Sequence, residues 1–475
     1  MDLVHLAVIL GALAFLIVMA YRGHSVILMA PIAALLAVVL TEPTKVLPVY
    51  TNLFMVRMAF FVQNYFPIFM LGALFGKMME ISGFAKSIAS AVVRVVGEKF
   101  TIMAIVLVGA ILTYGGVSMF VAVFAVYPFA AEMFKESDIP KRLIPATIGL
   151  GVFAFTMDAL PGTPQIQNII PTTFFGTTAF SAPILGIFGS LFVFVVGMLY
   201  LEWRRRTAKA AGEGYGSGHL NEPVIATTTD KLVHPLIAAL PLVLVWVANL
   251  VFTKTLPSLF PDVVEFQNTS VPAKNADPES LITSVTISGA VATWALIIGL
   301  VLGIVTIFII GRKQVTASFI PSSKDAIAGS LLANLNTASE FGFAGVIASL
   351  PGFKVAADAL LSIPNPLLSE AVTVNVLAGV TGSASGGLSM ALGAMGDHFI
   401  DMANDSGIPL DVMHRIASMA AGGMDTLPHN GAIITVLAVT GLTHRQSYKD
   451  IFAITLLKCL TAFVTIGFYY LTGLV

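Results

Sequence analysis

The chain has 475 residues, of which 57% are hydrophobic and only 11% charged, with a formal net charge of −1 and a mean hydropathy of +0.90. An ordinary soluble domain carries about 25% charged residues, and a soluble fold of this length needs far more polar surface to cover itself. A soluble enzyme, a nucleic-acid binder and a disordered scaffold are therefore excluded. The one cysteine, Cys459, precludes an intramolecular disulfide, and no Cys/His cluster calls for a metal or another cofactor.

A membrane crossing takes about 20 apolar residues. Leu3–Ala20 lacks the basic leader and small-residue cleavage site of a signal peptide and reads as a first span, followed by Ser25–Leu40 and Ala59–Met79. Thr101–Phe134 is too long for one crossing and has Gly115-Gly116 at its middle, so a re-entrant hairpin is expected at about 101–134. A broken helix is expected at about 143–180, interrupted by Leu160-Pro161-Gly162-Thr163-Pro164. Ala182–Trp203 is a further span, and the polar stretch 207–231 reads as a cytoplasmic linker.

The spans Leu232–Val251 and Val285–Ile310 follow, separated by a Pro-rich outside loop, Thr253–Glu279. Ala326–Leu350 is a weaker span. Its Asn334, Asn336, Thr337, Ser339 and Glu340 require one face to be wet or buried in protein. A second hairpin, about 369–400, is broken by Thr381-Gly382-Ser383-Ala384-Ser385-Gly386-Gly387. A second broken helix, about 412–442, is interrupted by Leu427-Pro428-His429-Asn430-Gly431, and Phe452–Leu474 is the last span.

Three patterns recur in order at nearly constant offset: Gly83-Phe84 as Gly352-Phe353, Gly115-Gly116-Val117-Ser118-Met119 as Gly386-Gly387-Leu388-Ser389-Met390, and Met157-Asp158-Ala159-Leu160-Pro161 as Met424-Asp425-Thr426-Leu427-Pro428. The expected architecture is an all-α polytopic membrane protein of two inverted repeats, 1–206 and 232–475, each with five crossings and one hairpin. With both termini outside, all of the 25 Lys and Arg residues except Lys45, Arg57, Lys254, Lys274, Lys354 and Arg415 fall on inside segments or, for Lys458, in the last span, as the positive-inside rule requires. Inverted repeats with paired broken helices characterise secondary transporters, whereas kinks at matched positions fit a passive channel or scaffold poorly.

Backbone that leaves the helix at membrane depth must be buried in protein or line a wet cavity. There it exposes N–H groups suited to an anion and carbonyls suited to a cation. The candidate substrate-binding residues lie at these breaks: Gly115, Gly116, Ser118, Thr163, Gln165 and Asn168 in the first half, and Ser383, Ser385, Gly386, Gly387, Ser389, His429 and Asn430 in the second. Thr172 and Thr173 add hydroxyls nearby. With no Lys or Arg placed at mid-membrane, a hydroxylated monocarboxylate fits better than a di- or trianion. Asp158 and Asp425, with His429, are candidates for ion coupling, because acids at membrane depth are costly and titratable. The alternative is that both aspartates cap half-helices or bond exposed amides. Sodium coupling stays open, since carbonyls at the breaks can hold that ion without a recognisable motif. A cation/proton antiporter using the Asp pair is a further alternative.

The stretches LGALFGKMMEISG, YGGVSM and MDALPGTPQIQNIIPTTFFGT within Leu71–Leu191, with SGGLSM, GGMDTLPHNGAI and LTHRQSYKD within Ser385–Asp450, resemble the gluconate permease (GntP-type) family of the ion transporter superfamily. The resemblance implies a proton-linked symporter of hydroxy acids in the bacterial inner membrane. It further implies a homodimer with a mobile transport unit carrying hairpins and broken helices. Gluconate carriers have a Pro- and His-rich LPPHPGP-like first break, where this chain has Leu160-Pro161-Gly162-Thr163-Pro164-Gln165. The GGMDTLPHNGA version looks like the 3-hydroxybutyrate permease branch, and citrate is a more distant alternative. The partners so implied are a small organic carboxylate, a proton or sodium ion, and membrane lipid.

Overall fold

The computed structural model describes residues 2–22, 24–97, 100–117, 119–222, 233–261, 263–267, 282–353, 355, 363–381, 383–428 and 430–475. The chain is helical almost throughout. Pro183–Ala210, Pro235–Leu259, Ala290–Ile310, His444–Thr472 and the run Pro43–Ile81 are each long and apolar enough to cross a membrane. The helices Asp2–Tyr21 and Val26–Thr41 pack on each other, and the second lies on the long Arg312–Ser349 helix.

Three segments differ from the expected layout. The region of the Pro-rich loop holds a two-stranded antiparallel ribbon, Val263–Gln267 paired with Ile282–Thr286, the second strand lying beyond the loop's expected end at Glu279. The second strand takes Val285, so the following span begins at Ile287. Both strands are rich in β-branched residues, which suit a pleated, half-exposed surface. The helix before the ribbon also continues past Val251 to Leu259. Second, the weak span is the end of a 38-residue helix, Arg312–Ser349. At 1.5 Å per residue this is about 57 Å long, well beyond the apolar thickness of a bilayer, so its charged first turns stand outside the apolar layer. Third, the Pro183–Ala210 helix runs into the stretch 207–231, and within its described part the Leu220 carbonyl accepts from Lys141 and Asn221 donates to the Ala438 carbonyl.

Each expected break is a departure from helix. Thr101–Tyr114 stops at Gly115, and Met119–Glu136 begins after Gly116 and Val117. Gly116 has φ +94°, a conformation costly to any residue with a Cβ. Ile144–Val152 gives way to the single turn Phe155–Asp158 and a run of turns and bends before Ile166–Phe175. The same order recurs later. Pro366–Thr381 and Ala384–Asp405 flank a break, and Leu410–Gly422 passes through a 3-10 turn, Gly423–Thr426, to Gly431–Thr440. Both resumed helices end at a left-handed glycine, Gly176 and Gly441. The Leu410–Gly422 helix is the axis of this region. It is buried from Val412 to Gly422 and touches Ile166–Phe175, Pro366–Thr381, Ala384–Asp405 and His444–Thr472.

One end of the bundle is tied by ions. Arg142 donates to Glu213 at 2.6 and 2.7 Å and to Asp450 at 2.8 Å. Arg204 also pairs with Asp450, and Tyr200 donates to it at 2.8 Å. Lys141 donates to Glu222 at 2.8 Å, and the Tyr215 amide donates to Asp138 at 2.9 Å. The hydrogen bonds from Arg142 hold the Glu213 carboxyl below its usual range. Asp450 is the hub, buried under two guanidinium groups. Replacing Asp450 with Ala should strip Arg204 of its acid, leave Arg142 with Glu213 alone, and destabilise the fold by about 3 kcal/mol. Thermal unfolding in detergent should show a clearly lowered midpoint; an unchanged midpoint would remove Asp450 from this role.

Candidate functional site

All four breaks reach one cavity of about 690 Å³, lined among others by Gly116 of the first, Pro164 and Gln165 of the second, Ser383 and Ser385 of the third, and Asp425 and Asn430 of the fourth. Much of its remaining wall comes from Met55–Ile81, with His24, Val26 and Leu300 also lining it, and from one face of Arg312–Ser349, including Asp325, Gly329, Ala333, Asn336, Thr337 and Glu340. These positions follow the three- and four-residue spacing of a single helix face. The cavity therefore runs along that helix for about 22 Å from Glu340 to Asp325. At the Asp325 end it meets the partly exposed pair Lys77 and Glu80, 3.0 Å apart.

The breaks are bound to one another. Tyr114 donates to the Pro161 carbonyl at 2.8 Å, and Gln165 Nε2 donates to the Thr113 carbonyl at 2.7 Å, joining the first break to the second. Gln167 Nε2 donates to Asp425 Oδ2 at 2.8 Å, joining the second to the fourth. The Ala384 amide donates to Asp425 Oδ1 at 3.1 Å, joining the fourth to the third. Asp425 thus serves the first turn of the other segment's half-helix, and Asn430 donates to it at 3.3 Å. Ser383 caps Ala384–Asp405 through the Gly386 amide, and Asn430 caps Gly431–Thr440 through the Ala432 amide.

Several expected ligand residues are occupied elsewhere. Thr163 is buried and donates to the Thr156 carbonyl at 2.7 Å. Asn168 is buried, donates to the Thr163 and Ala179 carbonyls at 2.9 Å each, and accepts from Arg415 at 2.8 Å. Thr172 donates to the Ile169 carbonyl. Gly115 packs on Leu242, and a Cβ at Gly387 would overlap Ala378 of the opposite hairpin arm. Gly386 provides space for Glu340, whose Oε2 lies where a Cβ would stand. Ser389 is buried away from the cavity wall. Ser118 and His429 lie outside the described residues.

The expectation of no cation at mid-membrane is corrected. Arg415 is wholly buried and donates to the carbonyls of Ser181, Asp158 and Ala179 as well as to Asn168. Lys458 is buried, with Nζ 2.8 Å from Asp158 Oδ2, and it donates to the carbonyls of Phe153 and Gly422. Both cations are thus engaged at interruptions of helical bonding, away from the cavity wall. Asp158 likewise pairs with Lys458 outside that wall. Among the described residues, no group of three or more His, Cys, Asp or Glu side chains could hold a metal.

No protein-family model matches the chain. It is 52% identical over 478 residues to an uncharacterized transporter of Bacillus subtilis strain 168, YxjC, covering 99% of this chain and 100% of that one. The chain belongs to the same transporter family as YxjC. A solved structure, that of the Alcanivorax borkumensis YdaH transporter, is similar in fold, with a TM-score of 0.54 over 88% of each chain at 16% identity. The protein is a multi-pass transporter of the bacterial cell membrane, built of helices.

Gln167, Thr337 and Asn336 are cavity residues of this transporter that the sequence reading did not single out as ligands. Gln167 had a signal, since it follows Gln165 by two residues, in the first turn of the helix that resumes after the break. Arg415 had none, because a lone Arg near a helix start reads as a loop charge. Replacing Lys458 with Met should leave the Asp158 carboxylate buried without its cation and lower stability by about 3–5 kcal/mol. A double variant that also carries Asp158→Asn should recover part of that loss in thermal unfolding. Equal midpoints for the two variants would contradict the pairing.

Proposed function

We propose that this transporter carries a small hydroxy-monocarboxylate, of the 3-hydroxybutyrate or gluconate kind, together with a proton by alternating access. The observation that carries the reading is the convergence of four non-helical segments on one cavity. Its volume is typical of small-molecule sites. Amide and hydroxyl side chains of Gln165, Asn336, Ser383, Ser385 and Asn430 line it, and such groups can both donate to a carboxylate and bond a hydroxyl. Among the described residues no unpaired Lys or Arg lines its deep end, where Asp425 and Glu340 already stand. A di- or trianion would meet acids there without a compensating cation, which disfavours citrate. The likeness of both break motifs to the gluconate permease family supports the same substrate class.

In this reading 1–206 and 232–475 are inverted repeats joined by the linker, both termini lie outside, and the protein works as a dimer. The cavity mouth at Lys77, Glu80 and Asp325 then faces the cytoplasm. A second reading, sodium-coupled carboxylate transport, draws on one observation. Thr337 Oγ1 lies 3.4 Å from Ser385 Oγ, which lies 3.4 Å from Ser383 Oγ, an oxygen cluster beside Glu340.

Proteoliposomes containing the full chain should accumulate labelled 3-hydroxybutyrate or gluconate under an inward proton gradient, and an uncoupler should abolish the accumulation. Uptake that ignores the proton gradient but follows a sodium gradient would replace the first reading with the second.

A further inference from the structure

Five acids are buried among the described residues: Asp158, Asp425, Glu340, Glu370 and Asp450, the last paired with Arg142 and Arg204. Asp158 has Lys458 at 2.8 Å. Asp425 accepts three hydrogen bonds, from Gln167, Ala384 and Asn430. Among the described residues, Glu340 Oε2 and both carboxyl oxygens of Glu370 have no hydrogen-bond partner. Of these two, only Glu340 lines the cavity. It is 4% exposed and stands over Gly386, in the first turn of the 22-residue Ala384–Asp405 helix. We propose that Glu340 is the residue that carries the coupled proton: neutral while the substrate anion is bound, and discharging its proton along the cavity after the anion has left.

The argument is one of charge at a shared place. The first turn of Ala384–Asp405 is where free amides favour an anion, and Asp425 already occupies one of them. A substrate carboxylate arriving there would face two acids at short range in a medium that screens poorly. One acid must be neutral for the anion to stay. Asp425 is compensated as an anion by its three donors. Glu340 has none, and a buried charge without a partner is expensive. The proton therefore belongs on Glu340.

Apart from Asp425, the described residues bring no ionic partner to Glu340, and His24 lines the same cavity. On Met55–Ile81, Arg57 packs its stem against Gly345, and Lys77 and Glu80 pair with each other at the mouth. On Ala384–Asp405 the titratable groups Asp397, His398, Asp401 and Asp405 begin about 16 Å beyond Gly386. Val26–Thr41, Ile287–Ile310 and Ile166–Phe175 carry no charged residue. Asp325 lies at the mouth, four turns away on the same helix face, with Asn336 and Thr337 between, so the discharge route is lined by polar groups.

The inference rests on the proposed proton symport, and the test separates the two. In an electroneutral one-proton symport, a gradient of about one pH unit supports about tenfold accumulation. Wild-type proteoliposomes should reach it with labelled 3-hydroxybutyrate or gluconate. Glu340→Gln, a mimic of the neutral acid, should keep exchange of internal for external substrate but accumulate nothing above equilibrium. A Glu340→Gln protein that still accumulates about tenfold overturns the assignment. If the wild type carries neither acid, the symport reading fails, and Glu340 is read without any substrate. Dicyclohexylcarbodiimide should label the wild-type Glu340 peptide at acidic pH, and less as the pH rises, by mass spectrometry. Absence of labelling at acidic pH overturns the proposal, and this measurement also decides it if the Gln variant does not fold.

Discussion

A peptide group in the apolar layer of a membrane has no water to fall back on, and this constraint organises the transporter. Four interruptions leave amides and carbonyls without helical partners, each costing about 1–3 kcal/mol if orphaned. The structure answers with side chains drawn from distant parts of the chain. Arg415 takes the carbonyls of Ser181, Asp158 and Ala179, and Lys458 takes those of Phe153 and Gly422. Gln165 takes Thr113, Asn168 takes Thr163 and Ala179, and Asp425 takes the Ala384 amide. Polar residues at a break therefore divide into those that mend the backbone and those left facing the cavity.

That division explains what could be read from the sequence. Gly and Pro clusters marked all four breaks, because these residues interrupt helices wherever they stand. The hydroxyl and amide residues beside them were legible as donors, but donor chemistry does not say whether the acceptor is a ligand or a carbonyl. Thr163 and Asn168 mend, whereas Gln165 does both, bonding Thr113 while it lines the cavity. The two buried cations were missed in different ways. Lys458 stood inside the last span with nothing nearby to name its partner, and Arg415 was counted as a loop charge because Leu410–Gly422 begins only five residues before it. Its carbonyl partners lie more than 200 residues away in sequence, a separation no local pattern reports. The long Arg312–Ser349 helix was half legible. Its polar face stood out, but its charged first turns read as a loop.

The bonds between breaks also say what can move. Tyr114 to Pro161, Gln167 to Asp425, Arg415 to Asn168 and Lys458 beside Asp158 tie the interrupted segments of both halves into one body around the Leu410–Gly422 helix. Shearing within that body would strand several buried polar groups at once. The contact between this body and the Arg312–Ser349 helix is of another kind. There Phe341 packs against Phe174, a hydroxyl contact between Thr337 and Ser385 spans 3.4 Å, and Glu340 Oε2 lies unbonded over Gly386.

An interface held by apolar contact and long hydroxyl contacts, Thr337 to Ser385 and, from Met55–Ile81, Tyr65 to the Ile170 carbonyl, can slide at less cost than one stitched by ionic bonds. In the proposed cycle the relative motion would run along this seam, with the interrupted segments travelling together against Arg312–Ser349 and Met55–Ile81. Glu340 stands on the fixed side of the seam, and the helix turn it covers stands on the moving side. A change in its charge would therefore act on an interface that no described ion pair holds. This arrangement links proton, anion and movement without asking any of the ion pairs that mend the breaks to open.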